Sequence, residues 1–239
     1  MIQGDDGSRT KVSGTLSETI SVNVADRVDL YSLLSECLKH PSDRFIEQVS
    51  RGGLEADLRS LTSNGVRDGV ESIPIPDGDD PGLRAQYRSA FEGYRDQFAP
   101  PAESPYKEWY GDRDGGLMGG PPASAMERRY DALDVDIPAS YPPDHVALEL
   151  EYASLLLEAG DEEAFAAFLP QHLDWIPAFR RLTSRTADAP FYQWVVDLMA
   201  GVVVADRDRY DVDPPSNETV NAMVARVNGT NERSVPTEV

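Results

Sequence analysis

Apolar side chains recur every three or four residues along most of this chain, the spacing that puts them on one face of an α-helix. In the segment 83–98 the apolar positions are Leu83, Tyr87, Ala90, Phe91, Tyr94 and Phe98. The segments 28–38 and 144–159 have the same spacing, and glycine or proline follows each of the three. No stretch of useful length alternates apolar and polar residues, as a half-buried strand does. The sequence therefore predicts an all-α fold.

A stretch rich in glycine and proline, 99–122, separates two helical regions. It also contains aromatic residues, which is typical of a packed or functional loop. We therefore expect one compact helical domain over 24–205. Its two subdomains cover about 24–110 and 121–205 and are joined by this loop.

Polar residues dominate both ends of the chain. Residues 1–23 carry Gly, Ser and Thr throughout, and 206–239 carries many acids together with Asn and Pro. Neither segment has the apolar content of a core, so both are predicted to be polar, flexible tails. A short helix is expected within the second tail at 216–227, where Glu218 lies in the first turn.

The net charge of the chain is −20, from 42 acidic and 22 basic residues. A field of this sign repels phosphates, which excludes duplex nucleic acid as a partner. The acidic surface either attracts a basic partner or keeps the protein solvated at high salt. Lysine is scarce beside plentiful aspartate, which favours the second explanation, a halophilic protein.

Several classes of protein are excluded because the sequence lacks the features that they require. The single cysteine, Cys37, rules out a disulfide framework and a cysteine-based zinc site. No apolar stretch is long enough to span a bilayer, and the first 25 residues resemble neither a secretory signal nor a transit peptide. No phosphate-binding loop, dinucleotide-binding fingerprint or nucleophile elbow occurs. We therefore expect a protein of a reducing compartment without membrane insertion, and no motif in the sequence supports enzyme chemistry.

Histidine occurs three times, at His40, His145 and His172. His145 and Glu149 are four residues apart and share one helix face, which is a feasible spacing for two metal ligands. The helix motifs typical of zinc and di-iron sites are absent, however, and local hydrogen bonding explains the pair equally well. A metal-dependent helical enzyme centred on His145, Glu149 and His172 is the less favoured alternative. The sequence predicts no metal and no cofactor.

Two clusters have side chains suited to binding another protein. The first is a loop that carries Tyr106 and Trp109, whose rings either supply contact area for a partner or fill the gap between two helical layers. The second is the segment 142–152, where Asp144 and His145 follow two prolines at the start of a helix. Asp144 is expected to cap this helix, and the pair could hold an arginine or a backbone segment.

Four segments, spread in order over about 28–205, resemble the TorD/DmsD family of redox-enzyme maturation chaperones. They are Tyr94…Phe98…Pro105-Tyr106, then Tyr141-Pro142-Pro143-Asp144-His145 followed by Glu149-Leu150-Glu151-Tyr152, then Gln171-His172-Leu173-Asp174-Trp175 continuing to Phe179, and finally Ala189-Pro190-Phe191-Tyr192. The second segment is similar to the P-x-D-H run that opens a helix in that family. The third is similar to its H-L-x-x-W segment.

The resemblance implies an all-helical cytoplasmic chaperone that is not an enzyme and that acts as a monomer or a homodimer. Such a protein binds the catalytic subunit of a molybdopterin-dependent oxidoreductase, its twin-arginine signal peptide, or both. It assists cofactor insertion and delays export until that insertion is complete. An acidic helical adaptor with another partner is the alternative.

The resemblance also implies roles for individual residues. Asp144 and His145 would contact cationic or amide groups of the client. Tyr94, Phe98 and Tyr106 would form an apolar wall for the hydrophobic region of the signal peptide. The other candidate binding residues are Pro143, Glu149 and Trp109, and those expected to be structural or binding are His172, Trp175 and Tyr192.

Overall fold

The described part of the chain folds into ten α-helices and one 3₁₀ turn. The computed structural model describes residues 24–61, 73–76, 82–92, 98–107 and 119–231, and no β-strand occurs within these ranges. In chain order the helices are α1 (Val24–Leu38), α2 (Asp43–Ser50), α3 (Gly53–Leu61), α4 (Leu83–Phe91), α5 (Pro121–Asp131), α6 (Val146–Glu158), α7 (Glu162–His172), α8 (Ile176–Thr183), α9 (Pro190–Arg209) and α10 (Asn217–Asn231), with the 3₁₀ turn Ser104–Tyr106 between α4 and α5. The predicted all-α class is confirmed.

Some of the expectations fall outside the described residues. These are the tail 1–23, the candidate binding residues Tyr94 and Trp109, and the end of the second tail. Among the described helices, none is both long and apolar enough to cross a bilayer.

Several helix ends lie where the sequence predicts them. Ser42 caps α2 because its side chain accepts a hydrogen bond from the Phe45 N–H at 3.2 Å. Gly160 follows α6 in the left-handed conformation, with φ of 69°, which glycine adopts without steric cost. The segment 83–98 differs from its predicted single helix: α4 ends at Phe91, and the backbone is not helical at Phe98.

Helix α6 lies at the centre of the fold. Its first five residues, 146–150, are all buried, which occurs only when a helix is surrounded on every side. Helix α1 packs along it, and the Ser35 hydroxyl donates to the Ala147 carbonyl at 2.7 Å. Tyr130 of α5 donates to the Leu148 carbonyl at 2.8 Å. The start of α6 is therefore held from two sides.

The C-terminal region is more ordered than the predicted tail from residue 206. Helix α9 continues to Arg209, and α10 packs against α8 and the 3₁₀ turn. Four apolar side chains at helical spacing make this contact and are buried: Val220, Met223, Val224 and Val227. This face, and not the polar majority of the segment, determines that α10 packs on the domain.

A buried ion pair joins α1 to α9. Arg27 and Asp206 are both almost fully buried, and their side chains approach to 2.9 Å. Tyr31 donates to the second carboxylate oxygen of Asp206 at 2.9 Å, and Tyr210 accepts from Arg27 at 3.1 Å. The guanidinium also lies 4.9 Å from the ring centre of Phe165. Arg27 therefore depends on Asp206 for compensation, while Asp206 also lies 3.9 Å from Arg209.

We predict that Asp206→Asn lowers the free energy of unfolding by about 3 kcal/mol, because it leaves Arg27 charged and buried without its counter-ion. The measurement is urea unfolding at constant salt. The matched control is Asp197→Asn, which breaks the exposed pair between Arg180 and Asp197 at 2.6 Å. That variant should cost less than about 1 kcal/mol. Equal losses in the two variants would contradict this prediction.

Candidate functional site

Two distant segments pair along their backbones beside the start of α6. The Glu103 N–H donates to the Asp144 carbonyl at 3.0 Å, and the Val146 N–H donates to the Pro101 carbonyl at 2.9 Å. These bonds lay the loop 98–107 alongside the residues that lead into α6. The 3₁₀ turn is thereby placed next to the helix start.

The buried side chain of Asp144 holds this loop in place by hydrogen bonds. Its Oδ2 atom accepts from the Ser104 N–H at 2.7 Å and from the Ser104 hydroxyl at 2.5 Å. The same hydroxyl accepts from the Gly120 N–H at 3.1 Å, so a third segment is tied in. Burial raises the pKa of Asp144 to about 6.

His145, and not Asp144, caps α6. Its Nδ1 accepts from the Ala147 N–H at 3.2 Å, which requires the ring proton to be on Nε2. Burial lowers the pKa of His145 to about 3, so the ring is neutral at physiological pH. The expectation that Asp144 caps the helix is wrong, because the Asp144 carboxylate is engaged by Ser104 instead.

Buried acids gather on the inner side of this loop. Glu103 Oε2 lies 2.8 Å from Nδ1 of His172, and Glu103 Oε1 lies 3.1 Å from the ammonium of Lys107. Lys107 also pairs with Asp174. Glu149 completes the group, since single ligand atoms of Glu103, Glu149 and His172 all lie within 4.8 Å of one another.

Glu149 is the most deeply placed of these acids. Its Oε2 accepts from Nε1 of Trp175 at 3.0 Å. Its Oε1 is buried as well, and the side chain is close enough to Glu103 for the two carboxyl groups to share a hydrogen bond. Burial, reinforced by neighbouring Glu103, raises the pKa of Glu149 well above its usual range. A neutral Glu149 allows two carboxyl groups to lie together in the interior.

These acids have the ligand types of a divalent metal site. The alternative metal centre predicted for His145, Glu149 and His172 is brought together only in part, because Glu103 stands where His145 was expected. Lys107 already supplies a cation to Glu103. A metal ion here would be repelled by that ammonium, so the arrangement fits a charge-compensated structural cluster better than a metal centre.

The other residues that the sequence suggested for binding or structure divide into a fully buried group and a group that is partly exposed to solvent. Tyr106, Trp175 and Tyr192 are fully buried, and the rings of Tyr106 and Trp175 contact each other at a tilt of 37° with centres 4.8 Å apart. For Tyr106 the gap-filling interpretation is therefore the better one. Phe98 and Pro143 are half-buried at the surface. Whether any of these residues binds a client stays a prediction.

Sequence reasoning missed Glu103, Ser104 and Lys107. Glu103 and Lys107 are four residues apart, a spacing typical of an ion pair on a helical turn, and this signal was available. Ser104 gave no local signal, because its partner Asp144 is 40 residues away in the sequence.

The loop, the 3₁₀ turn and the buried acids lie within a segment of the chain that matches a known protein family. A protein-family model described as the nitrate reductase delta subunit matches residues 71–181, which include every residue of the buried acid cluster. No curated protein matches the chain.

The family that this model describes is one of molybdoenzyme maturation chaperones. Residues 71–181 are thus similar to the nitrate reductase delta subunit family, which is a NarJ/TorD-like chaperone family. The resemblance to TorD/DmsD chaperones is thereby confirmed. This family is one of chaperones and not of catalysts.

We predict that Asp144 makes the protein less stable as the pH rises from about 4 to 6. Its pKa is near 6 when folded and near its ordinary value of 3.8 when unfolded. Between these values the folded state holds the extra proton, so raising the pH favours unfolding, by about 2–3 kcal/mol in total. The measurement is urea unfolding at several pH values and constant salt.

Asp144→Asn should remove this part of the slope, because an amide does not titrate and its oxygen can still accept from Ser104. The control is Asp208→Asn, which changes an exposed acid. A slope for Asp144→Asn equal to those of the wild type and the control would show that Asp144 does not titrate in this window.

Proposed function

We propose that this protein is a cytoplasmic chaperone for the catalytic subunit of a molybdopterin-dependent oxidoreductase. It binds the apo-subunit, its twin-arginine signal peptide, or both, and keeps the subunit from export until the cofactor is inserted. The observation that carries the proposal is the family match over 71–181. That segment contains the loop that Asp144 fastens to the start of α6.

The burial of the ionisable groups supports binding over catalysis. A catalytic group must touch its substrate, whereas Asp144, His145, Glu149 and His172 are each less than 5 % exposed. Their hydrogen bonds run to other parts of the same chain. These residues therefore act by positioning the surface above them.

In this proposal the half-buried residues touch the client. Phe98 lies at the start of the fastened loop, and Pro143 directly precedes Asp144. The Ala99 N–H donates to the Ala90 carbonyl at 2.7 Å, which fixes the backbone beside Phe98. An aromatic ring and a rigid proline on a fixed backbone offer apolar contact area at low entropic cost.

The test is affinity capture of the full chain from its native host, in buffer of matched salt, with clients identified by mass spectrometry. Enrichment of a molybdopterin oxidoreductase catalytic subunit is the expected result. Enrichment of unrelated proteins without any molybdoenzyme would overturn the proposal in favour of an acidic helical adaptor.

We predict that Phe98→Ser reduces capture of the molybdoenzyme subunit several-fold and leaves cooperative unfolding in place. The physical reason is loss of a half-exposed apolar contact. The matched control is Leu155→Ser, which removes another partly exposed apolar side chain, on α6. Equal capture by wild type, Phe98→Ser and Leu155→Ser would remove Phe98 from the binding surface.

A further inference from the structure

Helix α10 is attached to the rest of the molecule by a single face. Its main contacts are with two described elements, α8 and the 3₁₀ turn. The four buried apolar side chains, at positions 220, 223, 224 and 227, form one stripe of the helix, and the other residues of 217–228 are exposed except Arg226. Helix α10 therefore lies on the domain as a bound amphipathic helix lies in the groove of a partner.

Two polar contacts fix the position of α10. The guanidinium of Arg226 donates to the Tyr106 carbonyl of the 3₁₀ turn, and Arg181 of α8 donates to the side-chain oxygen of Asn221. Each of the two elements beneath the helix thus makes one directed contact with it. We call the side of α8 and the 3₁₀ turn on which α10 lies the covered face.

The chain is anchored up to a point just before α10. The Asp213 carbonyl accepts from the Arg207 guanidinium at 2.7 Å. Pro214 and Pro215 follow, and neither has an N–H with which to tie the backbone down. Since α10 begins at Asn217, the boundary between the anchored chain and this helix lies at the two prolines.

The attachment of α10 is weaker than that of the central helices. It has 15 residues, and a helix of that length is marginally stable in water without packing partners. Helix α6, by contrast, is buried on every side over its first five residues. Because elements with few buried contacts open first, α10 detaches while the core stays folded.

Detachment of α10 uncovers apolar surface that a chaperone needs. The four apolar side chains of α10 are buried only as long as the helix lies on the covered face. The exposed large apolar side chains of the described residues are four, and they are spread over three segments of the chain. An incompletely folded client presents apolar surface that its folded form buries, and the covered face provides a counterpart to it.

We propose that α10 is a displaceable cover, which occupies the covered face until an apolar helical segment of the apo-subunit takes its place. This inference rests on the proposed function and adds to it a regulated binding surface. The chemistry of the occupant is read from α10 itself: apolar side chains at i, i+3, i+4 and i+7, and a donor that reaches the Tyr106 carbonyl. A client segment binds only if it competes successfully with α10, so the cover selects against weaker partners.

The shape and charge of the covered face favour this occupant over others. The face accommodates one helix, which does not fit a flat lipid surface. Nucleic acid is repelled by the net charge of −20. A second copy of the chain carries the same charge, and its own α10 already lies on its own covered face.

The first experiment measures displacement directly. The probe is a fluorescein-labelled synthetic peptide of residues 214–231, and its binding to the full chain is followed by anisotropy. The variant is Val224→Asp, which places an unpaired carboxylate on the buried stripe and releases α10. The matched control is Ala225→Asp, which adds the same charge to the exposed side of the same helix.

The expected result is binding on the order of tenfold tighter to Val224→Asp than to the wild type, because the resident helix no longer competes. Ala225→Asp should bind the peptide as the wild type does. A peptide that itself carries Val224→Asp should bind none of the three proteins.

The second experiment tests the client as occupant. In affinity capture from the native host, Val224→Asp should retain several-fold more of the molybdoenzyme subunit than the wild type or Ala225→Asp. An excess of the unlabelled 214–231 peptide should release the subunit. Urea unfolding checks that the core of each variant unfolds cooperatively.

A third measurement needs no variant and decides the question if Val224→Asp does not fold. It is hydrogen exchange of the ¹⁵N-labelled wild type, followed by NMR. The amides of 220–228 should exchange on the order of a hundredfold faster than those of 147–157. Saturating unlabelled peptide should accelerate the exchange of 220–228 further and leave that of 147–157 unchanged. Equal exchange of the two segments, or no effect of the peptide, would overturn the inference.

The remaining outcomes separate this inference from the proposed function. If all three proteins bind the peptide equally while capture of the subunit persists, α10 is a fixed part of the fold and only the inference fails. If Val224→Asp binds the peptide more tightly but captures no more subunit, the covered face is not the client's site. If no protein captures a molybdoenzyme, the proposed function fails and the assigned occupant fails with it. Dimerisation of Val224→Asp that the peptide reverses would assign the covered face to a second copy instead.

Discussion

The bonds from Ser104 to the buried carboxylate of Asp144 hold together the part of the molecule on which its proposed function depends. They join the loop 98–107 to the start of α6, and through Gly120 they reach the start of α5. Beside them, the buried contact between Glu103 and His172 and the hydrogen bond from Arg226 to the Tyr106 carbonyl also hold the 3₁₀ turn. The loop surface that we assign to the client is therefore defined by a contact that the client does not touch.

The interior around this contact contains more acid than base. Glu103 is compensated by Lys107 and hydrogen-bonded to His172, while Glu149 is accommodated by a raised pKa. Burying these groups costs free energy unless each finds a partner or a proton. The surface also carries more acidic than basic side chains, but there the exposed aspartates remain charged and keep the protein solvated. Halophilic adaptation stays a prediction.

Much of the fold could be predicted because the signals for a helix and for its ends come from residues close together in the sequence. The three- and four-residue spacing, the Ser42 cap and the stop at Gly160 each depend on neighbours within a few residues. The packing of α10 was harder to foresee, since its four buried apolar residues lie within a polar segment. For the candidate site, the sequence singled out Asp144, His145, Glu149, His172 and Trp175. It did not predict that all five side chains are buried.

The sequence by itself determined the helical class, the positions of several breaks and the resemblance to a chaperone family, because periodicity and short motifs are properties of residues close together in the chain. Only the tertiary structure decided that His145 caps α6, that Asp144 binds Ser104 and that Glu103 meets His172. Ser104 and Asp144 are 40 residues apart in the sequence, and Glu103 and His172 are 69 residues apart. The contacts of Asp144 and Glu103 depend on how separate segments pack, which no local pattern in the chain encodes. The His145 cap is a local contact with Ala147, but Asp144 is unavailable as the cap only because the distant Ser104 engages it.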